Sequence, residues 1–227
     1  MKDLAAIRGA NGLWLTWTMP KRNVRKLLVN GRLEVTVCRR ENTSRPCTQT
    51  GPAMYLAPGA TGSFSETLPD ALASGNPRAL YYFVELLDRK GLSTGLSNSV
   101  ATLAGAAPQA PNGLMAEVTD KGVLLHWARV SPTDDPSGSA IRIHRSQVIL
   151  MPHSSTGDAA APPPLPSEES LLIENGSQTG HALDTTVHEG DTYEYTVQRV
   201  VRIKLGAQVL ELDGQFSAPV TVQDTPH

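Results

Sequence analysis

GDTYEYTVQRV, residues 190 to 200, sets Tyr193, Tyr195 and Val197 two apart, with Glu194, Thr196 and Gln198 between them. A period of two sends one set to a buried face and the other toward solvent, the signature of a half-buried strand. The same alternation recurs outward from this stretch. GVLLHWARV points Val123, Leu125 and Trp127 to one side, and AIRIHRS continues with Ile141 and Ile143. GLWLTWTMP does so with Leu13, Leu15 and Trp17, and RLEVTVCRR with Leu33, Val35 and Val37. Gly, Pro, Asn and Asp cut these runs at short intervals, and no window carries a 3.6-residue apolar stripe. ETLPDALASG has room for one helical turn between Pro69 and Gly75. The fold class is all-β.

The chain repeats itself. GLWLTW at 12–17 matches GVLLHW at 122–127, an offset of 110, and LSNSV at 96–100 matches FSAPV at 216–220, an offset of 120. A length of 227 residues suits two domains of about 100 residues, each able to bury its own core. The reading divides the chain into module 1 at 1–104, a stiff Ala-Gly-Pro linker at 105–111, and module 2 at 112–227. Module 2 holds extra residues between its matching strands. HSSTGDAAAPPPLPSEES, a Pro-rich loop insertion, and the long terminal hairpin VVRIKLGAQVLELDG are the segments expected to carry them.

Lys plus Arg number 20 and Asp plus Glu 22, so charge gives no attraction to nucleic acid or to an anionic membrane. No apolar run approaches the roughly 18 residues that span a bilayer, and MKDLAAIRGANG lacks the order of a signal peptide. The expectation is a segment that does not insert into a membrane; an export signal or lipid anchor would lie outside it. Two cysteines, Cys38 and Cys47, are too few for a zinc site of the usual kind, so the choice is between free thiols and a local disulfide. Alternation from Val37 turns Cys38 outward at a strand end, and the polar, turn-rich RRENTSRP between the cysteines suits a hairpin that brings them together. A disulfide is expected, with an oxidising compartment to form it.

Strand order carries a resemblance. PNGLMAEV, then GVLLHW with its Trp, then AIRIHRS, TYEYTVQRV and FSAPVTV resemble the strands of the fibronectin type III module. GLWLTW, RLEVTVCRR, LYYFVELLDRKG and LSNSVATL resemble it again. The resemblance implies two immunoglobulin-like antiparallel β-sandwiches in tandem, each of seven strands. It also implies that Tyr193 is a tyrosine corner, ring in the core and hydroxyl bonded to nearby backbone, with Tyr195 and Val197 continuing inward. Trp17 and Trp127 are the expected core anchors. In ALYYFVELL, Tyr82, Val84 and Leu86 are expected inward, because the other register buries Glu85 without a partner; Leu80 then stands at the corner. The ribbon VQRVVRIKLGAQVLELDGQFSAPVTVQD resembles the end of such modules in some bacterial surface lipoproteins, which implies a location outside the cytoplasm.

No catalytic constellation emerges. His126 and His144 alternate with apolar residues and face outward, no His pair has a zinc-binding helical spacing, and neither a Gly-x-Ser-x-Gly elbow nor a glycine-rich phosphate loop occurs. HALDTTVHEGD gathers His181, Asp184, His188, Glu189 and Asp191, and reads as a strand followed by a Gly-Asp turn. No metal, cofactor or catalytic residue is expected. Trp14 is forced outward by Leu13, Leu15 and Trp17; it is either a binding anchor for a protein or glycan or a residue covered by another strand, a loop or the second module. Pro163-x-x-Pro166 favours polyproline II in an exposed loop. The function expected from the resemblance is a non-enzymatic, extracytoplasmic spacer, adhesion or protein-binding pair. The alternatives are an accessory region of a larger secreted carbohydrate-active enzyme and a cytokine-receptor-like pair, the latter lacking its Trp-Ser-x-Trp-Ser box.

Overall fold

A computed structural model describes residues 3–22, 31–42, 46–87, 92–131, 139–148, 168–174 and 176–223. The Pro-rich loop and its Pro163-x-x-Pro166 lie outside the described residues. By contacts the chain divides into one unit of 1–107 with 202–213 and another of 108–201 with 214–227.

In the first sandwich β1 (Ala5–Arg8), β2 (Leu13–Thr18) and β6 (Thr61–Glu66) form one antiparallel sheet in that order. The other sheet is built on β3 (Leu33–Arg40) and β7 (Arg78–Leu87), which pair along most of their length. On the free side of β3 lie β4 (Thr48–Gln49) and β5 (Met54–Leu56), and on that of β7 lie β8 (Ser93–Leu96) and β9 (Val100–Ala104). α1 (Asp70–Ala73) is a single turn between β6 and β7. Strict alternation makes β2 work: Leu13, Leu15 and Trp17 are buried and Trp14, Thr16 and Thr18 exposed. On β7 Leu80, Tyr82 and Val84 are fully buried while Glu85 is half-buried, which is the register that spares the carboxylate.

The second sandwich repeats the plan. β10 (Met115–Thr119), β11 (Gly122–His126) and β14 (His181–Asp184) form the three-stranded sheet. Opposite stand β13 (Glu168–Ile173), β12 (Ala140–Gln147) and β15 (Thr192–Leu205), with β16 (Gln208–Phe216) and β17 (Val220–Gln223) also on β15. α2 (Gly176–Thr179) is a short turn before β14. Val123, Leu125, Trp127, Ile141, Tyr195 and Val197 come from both sheets and share one buried cluster. β11 starts at Gly122 because its φ of 127° and the Asp184 carbonyl, 2.1 Å from where a Cβ would sit, admit nothing larger.

A serine closes each sandwich at the matched place. Ser97 accepts the Val84 N–H on its hydroxyl at 2.9 Å and returns its own N–H to the Val84 carbonyl at 2.8 Å. Ser217 does the same to Val197, at 3.0 and 2.8 Å. Each hydroxyl thus satisfies a backbone donor where the ladder would otherwise end.

Candidate functional site

The two core tryptophans differ in one respect. Trp127 is buried and its ring N–H donates to the Gly176 carbonyl at 2.9 Å. Trp17 is buried too, in a slot that exists because residue 62 is glycine: a Cβ there would lie 2.2 Å from the indole. Its ring N–H has no hydrogen-bond partner among the described residues. The tyrosine at position 193 is buried; its hydroxyl accepts the His188 backbone N–H at 3.0 Å and donates to Asp191 Oδ2 at 3.2 Å. Burial, then the Asp191 charge, holds its ionisation above the ordinary range despite the His188 contact.

Each sandwich also contains an Arg–carboxylate–Tyr cluster. In the first, the fully buried Tyr82 donates its hydroxyl to Glu66 Oε2 at 2.7 Å, and Arg39 forms an ion pair with Glu66 Oε1. In the second, the fully buried Tyr195 donates to Asp184 Oδ2 at 2.9 Å, and Arg145 donates to the same oxygen at 2.9 Å. The strands supply them identically. Arg39 on β3 is the direct cross-strand partner of Tyr82 on β7, and Arg145 on β12 that of Tyr195 on β15. The carboxylates come from the last residues of β6 and β14. The second cluster is larger: Arg145 also pairs with Glu169, donates to Thr186 Oγ1 at 2.6 Å and lies 5.1 Å over the Tyr193 ring.

Burial, reinforced by the carboxylate each contacts, pushes Tyr82 and Tyr195 well above the ordinary phenol range. Burial opposes ionisation of Asp184, but hydrogen bonds from Thr186 and Tyr195 and the charge of Arg145 outweigh it and hold the carboxyl below its usual value. For Arg145 burial is likewise outweighed, by Asp184 and Glu169, and its pKa is raised. At neutral pH this cluster is a protonated phenol, a carboxylate and a guanidinium bound to one another. That chemistry holds two sheets together. A cleft of about 280 Å³ beside it is lined by Ile143, Arg145, Leu171, Leu183, Asp184 and Thr186, among others.

Cys38 and Cys47 are joined in a disulfide with a Cα separation of 5.5 Å. The expected outward exposure of Cys38 does not occur; it is 4% exposed. β3 is covered on both faces from Val35 to Cys38, so alternation there does not separate buried from exposed, and β4 pairs Gln49 directly with Cys38. The histidine group does not converge on a cation: Asp184 is occupied as described and His188 supplies its backbone to Tyr193. His126 and His181 are cross-strand partners with ring centroids 6.4 Å apart. Among the described residues no group of three or more His, Cys, Asp or Glu is placed to hold a metal ion. Among them, too, no helix is long and apolar enough to cross a membrane.

Trp14 is 48% exposed on the outer face of β2, between Ile7 of β1 and Ser65 of β6. Its indole lies over the turn that joins β1 to β2. A Cβ at Gly9 would be 3.1 Å from the ring, so that glycine makes room for it, whereas one at Gly12, at 3.5 Å, would be in ordinary contact. Arg8, buried beneath, donates from Nη1 to the Gly12 carbonyl at 3.1 Å and also to that of Gly9, clamping the turn; burial lowers its pKa.

Sequence reading missed both Arg–carboxylate–Tyr clusters. A signal was available, since TVCRR and RIHRS, SFSETL and HALDTT, and LYYFV and YEYTV each carry one member at the matched strand position.

No family model matches the chain, and no curated protein does. Among solved structures it is similar to the FN1–FN3 domains of chicken CNTN1, at 14% identity and a TM-score of 0.49 over 99% of this chain and 67% of that one. It is also similar to a two fibronectin type III domain segment from chicken tenascin, at 13% identity and a TM-score of 0.32 over 98% of each. The strand order described above gives the fold without them: the chain is a tandem of two fibronectin type III folds.

Proposed function

We propose that the chain is a non-enzymatic pair of modules, 1–104 and 112–227 about a short linker, serving an exported surface protein as a spacer, adhesion or protein-binding element. The observation that carries the reading is that the ionisable groups beside the 280 Å³ cleft are consumed by one another. A catalytic acid, base or nucleophile needs a pKa near its working pH and a free path to substrate. Tyr195 is held protonated and buried, and Asp184 is held ionised with both oxygens in hydrogen bonds. The disulfide supports export, because such bonds persist in oxidising compartments and are rare in a reducing cytosol. The likeness of the long hairpin to bacterial surface lipoproteins supports the same location.

The test is the state of Cys38 and Cys47 in protein taken from its native cells, quenched in acid and alkylated under denaturing conditions. No alkylated cysteine before reduction and two after it is the expected result. Two alkylated cysteines without reduction would overturn the extracytoplasmic reading.

A further inference from the structure

Outward positions of the first three-stranded sheet form a patch of unusual chemistry. Its central row is Ile7, Trp14 and Ser65, side by side on β1, β2 and β6. Ala5, Thr16 and Ser63 make the next row, and Thr18 opposite Thr61 the one after. All eight are exposed, and none carries a charge. The charged residues of these strands, Arg8 and Glu66, turn inward to the Gly9–Gly12 turn and to Tyr82; Asp3, exposed at the end of the patch away from Trp14, is an ionised carboxylate hydrogen-bonded by Thr18. Strand spacing makes the patch about 10 by 14 Å.

We infer that this face binds an uncharged glycan, which stacks on the Trp14 indole and hydrogen-bonds the Thr and Ser hydroxyls around it. The inference rests on the reading of the chain as a non-enzymatic binding module and names a ligand class for it. The eight positions carry no charge and Asp3 stands only at the Thr18 end, so an ion seated over Trp14 would be desolvated with nothing beside it to pair, which argues against a charged partner there. Five hydroxyls beside one aromatic argue against a purely apolar partner, which would strip water from donors and acceptors it cannot replace. A sugar ring offers both an apolar face and equatorial hydroxyls. Trp14 is also prepared for it: the glycine turn supports the indole and Arg8 clamps the turn, so little side-chain freedom is left to lose on binding. The second sandwich provides the contrast. There Leu124 stands in Trp14's place, between Glu117 and Leu183, with Met115, His126 and His181 in the adjacent row.

Native affinity electrophoresis of the full chain through gels containing hydroxyethylcellulose, glucomannan or galactan, with heparin as the charged comparison, tests the inference. At least one neutral polysaccharide is expected to retard the protein and heparin is not. W14A should weaken retardation about tenfold, the scale of an aromatic anchor, while W14Y retains most of it and L124A all of it. Unchanged unfolding midpoints for W14A and W14Y would establish that the sheet is intact. Retardation by none of the three neutral gels, retardation by heparin alone, or full retardation of W14A would each overturn the glycan site and leave the module reading standing. Shortening of a polysaccharide by the protein would instead overturn the non-enzymatic reading beneath it.

Discussion

The two sandwiches solve the same problem with the same side-chain types and finish it differently. Both tie an inward tyrosine on the long central strand to a carboxylate on the facing sheet, and both neutralise that carboxylate with the arginine across from the tyrosine. In the second the network extends to Thr186, Glu169 and the Tyr193 ring, and Tyr193 forms a backbone-bonded corner. In the first, Leu80 takes the corner position and makes no such bond, and a disulfide joins β3 to the segment that returns beside it. One half replaces by covalent constraint what the other obtains from hydrogen bonds. Constraint of the unfolded chain and polar pairing in the folded one are different physical routes to stability.

The core tryptophans are where either sandwich breaks most readily. W17A and W127A should each destabilise their own sandwich by about 3–5 kcal/mol, read by equilibrium unfolding with hydrogen exchange to locate the opened half. W127F should cost more than W17F, because it removes the ring N–H bond to the Gly176 carbonyl, one of three that this oxygen accepts, whereas the Trp17 ring N–H has no acceptor to lose among the described residues. Next in size is the disulfide. Cys38→Ser with Cys47→Ser should cost the first sandwich about 2–3 kcal/mol on the chain-entropy scale and leave the second unchanged. Y195F and Y82F should each cost about 1 kcal/mol, and equal costs would confirm that the two hydroxyls do the same work.

The smallest effects are those of pH. Asp184 has its folded pKa below its unfolded value, so its contribution is present above about pH 4 and is lost as pH falls further. D184N should flatten the acid limb of the second sandwich in a pH series of unfolding midpoints. An acid limb unchanged in D184N would show that Asp184 is not the linked group.

Much of this was legible because apolar alternation is a local property. Trp17, Trp127, Tyr82, Tyr193 and Tyr195 follow from period two, and the register of β7 follows from the cost of burying Glu85. Sheet partners whose sequence does not alternate were not legible: AAIR of β1 runs apolar through Ala5, Ala6 and Ile7, TGSFSE of β6 has Phe64 as its one large apolar residue, and pairing with β2 makes them strands. Cys38 was misplaced because β3 is central enough to be covered twice. The Arg–carboxylate–Tyr clusters depend on residues far apart in the chain meeting at strand ends, and no spacing rule describes a strand end. The serines of LSNSV and FSAPV were visible as a repeat, but their bonds to Val84 and Val197 exist only once the sheets close.

That the paired tyrosines are structural locks rather than ligand contacts is tested most directly by their ionisation. The phenolate absorbance of the wild type is followed with pH and compared with Y82F and Y195F, while circular dichroism reports whether the fold persists. A raised folded pKa means that each hydroxyl contributes stability below the unfolded value of about 10, which is lost as pH climbs toward the folded one. The signal assigned to Tyr82 and to Tyr195 by difference should therefore be absent near pH 10 and appear only as β-structure is lost. A phenolate at either position near pH 10 in the folded chain would contradict the account.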